Sequence, residues 1–303
     1  MVSANPLLLL LDDPLDYPGQ NKYTNFCIQD TVSISQSQDF LEQQHMAYPS
    51  AGMDSQKKGR VAEAFDENLS AELFNLLWGQ ERAAMPTVVD YAYEEIWKRV
   101  IMIGGSEEQR LSDVTLAEQL GMSRTPVRQA LERLVQEGLV RSDPRRGFWT
   151  RTFTAQDIHE IYDLRGALEM LAVRLAAPRL SQEDLKAHLE ALYTVRAELD
   201  THPILRFLQV DIRFHTLITR ASGNGRLIHS LSMLRSQICM FQVQDTLYPK
   251  RMEIALNDHE QVLLALLAGD VDEAADCLAR HIRHAKEGVL ADIFLEEGKE
   301  GVL

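Results

Sequence analysis

The sequence predicts a mainly α-helical protein of two unlike parts: an N-terminal winged helix-turn-helix domain, then an all-α helical bundle. Three observations predict it. A short helical stretch, a Gly-Met turn and a second helix that starts on arginine follow one another between Ser112 and Gly138. Two β-prone runs flank a Pro- and Gly-bearing turn at Asp143–Gly147. From Asp157 to about Leu290 apolar residues recur at helical spacing, with no strand signal between them.

Composition bounds the classes. The 303 residues suffice for about two domains. Apolar residues make up 45% and charged residues 25%, the balance of a soluble globular protein. With 16 Gly and 10 Pro, collagen-like and wholly disordered chains are excluded. Cys27, Cys239 and Cys277 are too few for a disulfide scaffold and fit a reducing cytoplasm, the expected location. No apolar run approaches the roughly 18 residues of a membrane helix. Leu7–Leu11 is a poor signal peptide: it is short, follows no basic residue and runs into Asp12 and Asp13.

Residues 1–86 hold 12 acidic and 5 basic side chains in irregular order. They are expected to form an acidic, largely disordered extension, with 1–60 unstructured and Leu7–Leu11 as coil. Only 61–78 has the pattern of an amphipathic helix, and Met53 and Met85 are alternative starts.

Residues 87–154 are predicted to be the winged helix-turn-helix. Val89, Tyr93, Ile96, Trp97, Val100 and Ile101 fall at helical spacing, and Gly104-Gly105 ends that helix. Ser112 or Asp113 can cap the short helix that stops at Gly121. Ser123 is a natural N-cap for the next one, and Pro126 falls in its first turn, where a missing N–H costs nothing. Val127, Ala130, Leu131 and Leu134 share an inward arc, while Thr125, Arg128 and Gln129 lie on the other side. The chain carries a net −14, yet 123–151 holds seven arginines against Glu132, Glu137 and Asp143, a net +4. Local charge is what a phosphate backbone feels. Arg145 and Arg146 stand at the tip of the predicted wing. Arginine suits both guanine in the major groove and phosphate. The alternative is an ordinary helical hairpin with solvated arginines.

Residues 155–295 are predicted to form a bundle of helices near 155–177, 182–200, 203–221, 225–246, 252–268 and 271–292. Asp211 and His215, four apart, share one helix face. His259 lies beside a strongly apolar face, and His281 continues the line of Ala274, Leu278 and Ala285. Inward imidazoles and an inward carboxylate need partners. A divalent cation would serve all four, and Zn²⁺, Ni²⁺, Mn²⁺ and Fe²⁺ all suit the set, with Zn²⁺ favoured. The alternative is separate core histidines bonded to backbone.

LSDVTLAEQLGMSRTPVRQALERLVQEGLVRSDPRRGFW resembles the winged helix-turn-helix of the GntR family of bacterial transcription regulators. The resemblance implies that Ser123, Arg124, Thr125 and Arg128 contact DNA, with Arg146 and Gly147 at the wing. One departure is Val114, where the family often has a basic residue; Arg110 is a candidate substitute. DIRFHTLITRASGN and DHEQVLLALLAGDVDEAADCLARHI resemble the ligand-binding FCD domain of the FadR subfamily. There an Asp-x-x-x-His helix and two later histidines hold a metal, which implies Asp211, His215, His259 and His281. YDLRGALEMLAVRLAA resembles the first helix of that domain, with Arg165 facing the effector pocket. Arg235, Gln242 and Tyr248 are further pocket candidates.

The resemblance implies a metabolite-responsive homodimer, a repressor in its expected mode, that reads an inverted repeat in double-stranded DNA and binds a small carboxylate. The competing reading is a hydrolase-type enzyme whose Asp/His₃ metal activates water. Against it, the chain has no H-E-x-x-H, nucleophile elbow or phosphate-binding glycine loop.

Overall fold

The computed structural model describes residues 67–78, 86–105, 108–198, 203–246 and 248–300. The expectations for 1–60 and Cys27 lie outside them. In chain order the elements are α1 (Glu67–Trp78), α2 (Val88–Ile103), β1 (Arg110–Leu111), α3 (Asp113–Gln119), α4 (Arg124–Gln136), β2 (Val140–Asp143), β3 (Gly147–Thr150), α5 (Ala155–Ala176), α6 (Gln182–Glu198), α7 (Pro203–Ala221), α8 (Gly225–Asp245), α9 (Pro249–Ala268) and α10 (Val271–Glu300).

Helices α2, α3 and α4 and the three strands form a winged helix-turn-helix. A capping box of Thr87 and Asp90 starts α2, and Gly104, in the left-handed region at φ 75, ends it. Ser112 caps α3 by accepting from Thr115 N. The inward arc of α4, Val127, Ala130, Leu131 and Leu134, is fully buried, and α4 packs along α2. The sheet order is β1-β3-β2, antiparallel throughout. Asp143 pairs with Gly147, so 144–146 form the wing tip, and Gly147 closes it at φ 85, a conformation that favours glycine.

The six helices α5–α10 form the bundle, with α10 against α9 and α5, and α5 also against α7. Their starts are locally encoded. Thr154 and Asp157 make a capping box for α5, Asn224 Oδ1 accepts from Arg226 N and Leu227 N at α8, and Pro249 opens α9. Among the described residues no helix is long and apolar enough to cross a membrane.

Helix α1 realises the amphipathic pattern over 67–78, and 61–66 lie outside the described residues. It buries Leu73, Phe74, Leu77 and Trp78 and packs on α7 and α2. The 1–86 extension therefore contains a packed helix. Two arginines hold it: Arg133 of α4 lies 5.7 Å over the Trp78 ring, and Arg235 of α8 lies 4.9 Å over it. Nearby, Glu137 at the end of α4 accepts from Tyr93 Oη at 2.8 Å and Ser236 Oγ at 2.7 Å, while its carbonyl accepts from Gln237 Nε2 at 2.8 Å. This buried network joins the winged domain to α8.

Candidate nucleic-acid interface and metal centre

At the start of α4, Ser123 stands at the N-cap with extended backbone, and its side chain makes no capping bond. Arg124, Thr125 and Arg128 are exposed on the first turns of the same helix. Arg124 Nη2 lies 2.8 Å from Asp113 Oδ2, and Arg128 Nη1 lies 3.8 Å from the same oxygen. Of the seven arginines in the basic stretch, five are ion-paired: Arg124 and Arg128 with Asp113, Arg133 with Glu137 and Asp90, Arg141 with Glu108, and Arg151 with Asp157. Neither Arg145 nor Arg146 forms an ion pair among the described residues, although Arg146 lies within the field of Asp143. Their backbone N–H groups donate to Asp143 Oδ1 at 2.7 and 2.9 Å, which shapes the tip. Val114 is 41% exposed on α3.

In the bundle, Asp211 and His215 of α7, His259 of α9 and His281 of α10 converge. Each offers one ligand atom, and these atoms all lie within 4.8 Å of one another. His259 Nε2 stands 3.2 Å from His281 Nε2 and 3.6 Å from Asp211 Oδ1. Atoms bound to one ion at about 2.0–2.2 Å stand roughly 3–4 Å apart, so the set fits a divalent cation after small adjustments. The centre is enclosed: His259 is fully buried, and Asp211 and His281 nearly so. The His259 ring stacks on Phe214 with centroids 4.0 Å apart.

Burial holds two of the histidines in the form that binds metal. Burial pushes His259 well below its ordinary pKa, aided by His281 and His215, and burial lowers His281 too. Both are therefore neutral at pH 7, the form that binds metal. An outer partner orients the His215 ring. Glu169 Oε2 accepts from His215 Nδ1 at 2.6 Å, which leaves Nε2 facing the centre. Burial would raise the Glu169 carboxyl, but Arg165 and His215 hold it well below the usual range. Asp258 is hydrogen-bonded to His284 Nδ1 at 2.7 Å but stands 3.8 Å from His281 Nδ1, and the Nδ1 atoms of His281 and His259 have no hydrogen-bond partner. Burial opposes its ionisation, yet these histidines bring it down to about 2. Gln242 Nε2 donates to Asp211 Oδ2.

Arg165 is buried beside the centre. Its Nε donates to Glu169 at 2.7 Å, and its Nη2 lies 3.1 Å from His215 Nε2. Neither its Nη1 nor the buried hydroxyl of Tyr162 meets a hydrogen-bond partner at contact distance, though the two side chains adjoin and interact electrostatically. Arg235 is placed elsewhere: its Nη1 donates to Leu77 O at 2.9 Å and its guanidinium covers Trp78, which ties it to α1. Tyr248 donates to Asp292 at 3.1 Å and stacks under Arg251, also apart from the histidines. Sequence reasoning missed Glu169 and Tyr162. Arg165 and Glu169 are four apart on α5, which is the one signal that would have paired them.

A winged helix-turn-helix joined to a helical bundle with a buried Asp/His₃ cluster has the layout of a DNA-binding domain followed by a ligand-binding domain. Comparison with known proteins gives the family. Residues 89–149 match the model of bacterial regulatory proteins of the gntR family, and residues 160–284 match the FCD domain. The HTH-type transcriptional regulator McbR of Escherichia coli K12 is 30% identical over 172 residues, which covers 56% of this chain and 78% of that one. Its solved structure superposes with a TM-score of 0.55 at 25% identity, over 66% of this chain and 95% of that one. The uncharacterized HTH-type transcriptional regulator YdhC of Bacillus subtilis is 28% identical over 69% of this chain and 92% of its own length. The HTH-type transcriptional repressor RspR of E. coli K12 is 22% identical over 59% of this chain and 78% of its own. The chain belongs to the GntR family, with an FCD domain behind its DNA-binding domain. It is a DNA-binding transcription regulator, not an enzyme.

Proposed function

We propose that this regulator is a metabolite-responsive repressor. It acts as a homodimer in the cytoplasm and holds a divalent cation through Asp211, His215, His259 and His281. Zn²⁺ is the favoured ion, with Ni²⁺, Mn²⁺ and Fe²⁺ as competitors. The observation that carries the reading is the convergence of four ligand atoms within 4.8 Å in a buried pocket.

The effector is a small carboxylate. Arg165 Nη2 now lies against His215 Nε2, the atom an ion would take, and Nη1 has no hydrogen-bond partner. With the ion in place, this guanidinium needs another acceptor, and a carboxylate supplies one. Four protein ligands leave one or two coordination positions for the same acid. Tyr162, whose buried hydroxyl has no hydrogen-bond partner, joins the effector contacts; Arg235, which the sequence suggested, is engaged by α1.

On DNA, α4 is the recognition helix, with Ser123, Arg124, Thr125 and Arg128 at its leading end and Arg145, Arg146 and Gly147 at the wing. One such helix reads too few base pairs to single out a genomic site, which supports a dimer on an inverted repeat. Repression is supported by the relative named a repressor.

The test takes the purified chain, the duplex it selects from its own genome, and Zn²⁺ with a panel of small carboxylic acids. One acid is expected to release the duplex only when metal is present. At about 100 times its dissociation constant it should stabilise the fold by roughly 2.7 kcal/mol. No acid acting with metal, or equal action without it, would overturn the reading.

A further inference from the structure

Asp113 is the first residue of α3, on the face that carries the recognition arginines. Its side chain is 16% exposed, while Arg124 and Arg128 are 59% and 54% exposed. One carboxylate oxygen therefore tethers two long, solvated cations, at 2.8 and 3.8 Å. Arg128 is further confined by Glu132 at 3.9 Å and by the ring of Phe148 in the wing, 5.7 Å from its Cζ.

An acid here is costly for a DNA-binding protein. It sets a negative charge toward the phosphates and weakens binding to every sequence alike. Helix capping does not require it, because Ser112 Oγ already accepts from Thr115 N. What the carboxylate supplies is direction. A loose arginine turns to the nearest phosphate, which carries no sequence information. An arginine with one edge of its fork held by Asp113 keeps its remaining N–H groups for the paired acceptors of a guanine edge.

We propose that Asp113 is a positioning residue that sets base specificity: it holds Arg124, and secondarily Arg128, away from phosphate and aims them at bases. The inference rests on α4 being the recognition helix, as proposed above. The carboxyl is kept ionised for the task, since the Arg124 hydrogen bond holds it below the usual aspartate range.

The experiment uses the full chain and two probes: a duplex selected from a random pool, with its single-base variants, and a random-sequence duplex. The proteins are the unaltered chain, Asp113→Asn, Asp113→Ala, Asp113→Glu and Arg124→Ala, each checked by thermal melting. Asp113→Asn is nearly isosteric and keeps the Ser112 cap, so it serves if Asp113→Ala folds poorly. Asp113→Asn is expected to bind random duplex more tightly. It should also lose about tenfold of its preference for the selected duplex over variants at the base Arg124 reads. Asp113→Glu should restore part of that preference. A residue with only a fold role would lower both affinities together. If Arg124→Ala flattens the preference while Asp113→Asn leaves it intact, this proposal alone is overturned. If Arg124→Ala also leaves it intact, the recognition-helix reading falls and takes the proposal with it.

Discussion

Glu169 accepts the Nδ1 hydrogen of His215 at 2.6 Å, and so decides which nitrogen of that ring faces the four-residue centre. The same carboxylate accepts from Arg165 Nε at 2.7 Å. One buried anion thus orients both a candidate metal ligand and the candidate effector clamp. Glu169→Gln is expected to weaken metal binding about 10–100-fold, the usual loss for an outer partner of a ligating histidine. Titration against a chelator of known affinity measures this, and an unchanged affinity would remove Glu169 from the site.

Acidity should act on the centre with a definite sign. His259 and His281 have folded-state pKa values below 6.5, mainly through burial. The unfolded chain then takes up protons that the folded site refuses. Stability from these groups is present above pH 6.5 and falls as pH drops below it. Asp245 works the other way. Burial, despite Arg251 at 2.9 Å, pushes its carboxyl from 3.8 up to about 7. Its contribution is full below about pH 4 and is lost as pH rises through 7. Melting curves of the metal-free chain and of Asp245→Asn from pH 4 to 8 separate the two. The variant should lack the loss between pH 4 and 7, and identical profiles would count against the Asp245 assignment.

Helix α1 sets a boundary for truncation. Removing residues 1–60 should leave melting and DNA affinity nearly unchanged, because that segment is acidic and without periodic pattern. Leu73→Ala should cost about 2–5 kcal/mol, since Leu73 is fully buried. Denaturant titration decides both, and a Leu73→Ala protein as stable as the unaltered chain would mean α1 contributes nothing to the fold.

The interface on DNA should divide into readers and anchors. Arg124→Ala and Arg128→Ala are each expected to cost about 1–3 kcal/mol of specific binding. Arg145→Ala or Arg146→Ala should weaken all sequences alike and lower the salt slope by about 1 each. Operator affinity across a salt series is the check, and an Arg128→Ala protein with unchanged affinity would contradict the assignment of α4.

Much of this was legible in the sequence because its signals are local. Ser123, Pro126 and the arc from Val127 to Leu134 mark α4 within a dozen residues, and each bundle helix shows its own period. The i, i+4 pair of Asp211 and His215 placed two ligand candidates on one face. What stayed hidden depends on partners far along the chain. The net +4 counted over 123–151 leaves out Asp90, Glu108, Asp113 and Asp157, which lie outside that window and pair in space with five of its arginines, Asp113 with two. Arg235 looked like a pocket residue, because nothing in its own helix points to Leu77, far earlier in the chain. Tyr162 drew no reading at all, since a buried hydroxyl without a hydrogen-bond partner shows only when its surroundings are known.

The most direct test of the proposed function is the metal content of the purified full-length chain, measured by elemental analysis before and after chelation, alongside His215→Ala. The expected result is one divalent ion per chain, removed by chelator and restored by Zn²⁺, and none in His215→Ala, with its helical content and basal DNA binding kept. A chain that never holds a stoichiometric ion, even after incubation with Zn²⁺, would contradict the account and leave Asp211, His215, His259 and His281 as polar groups of the core.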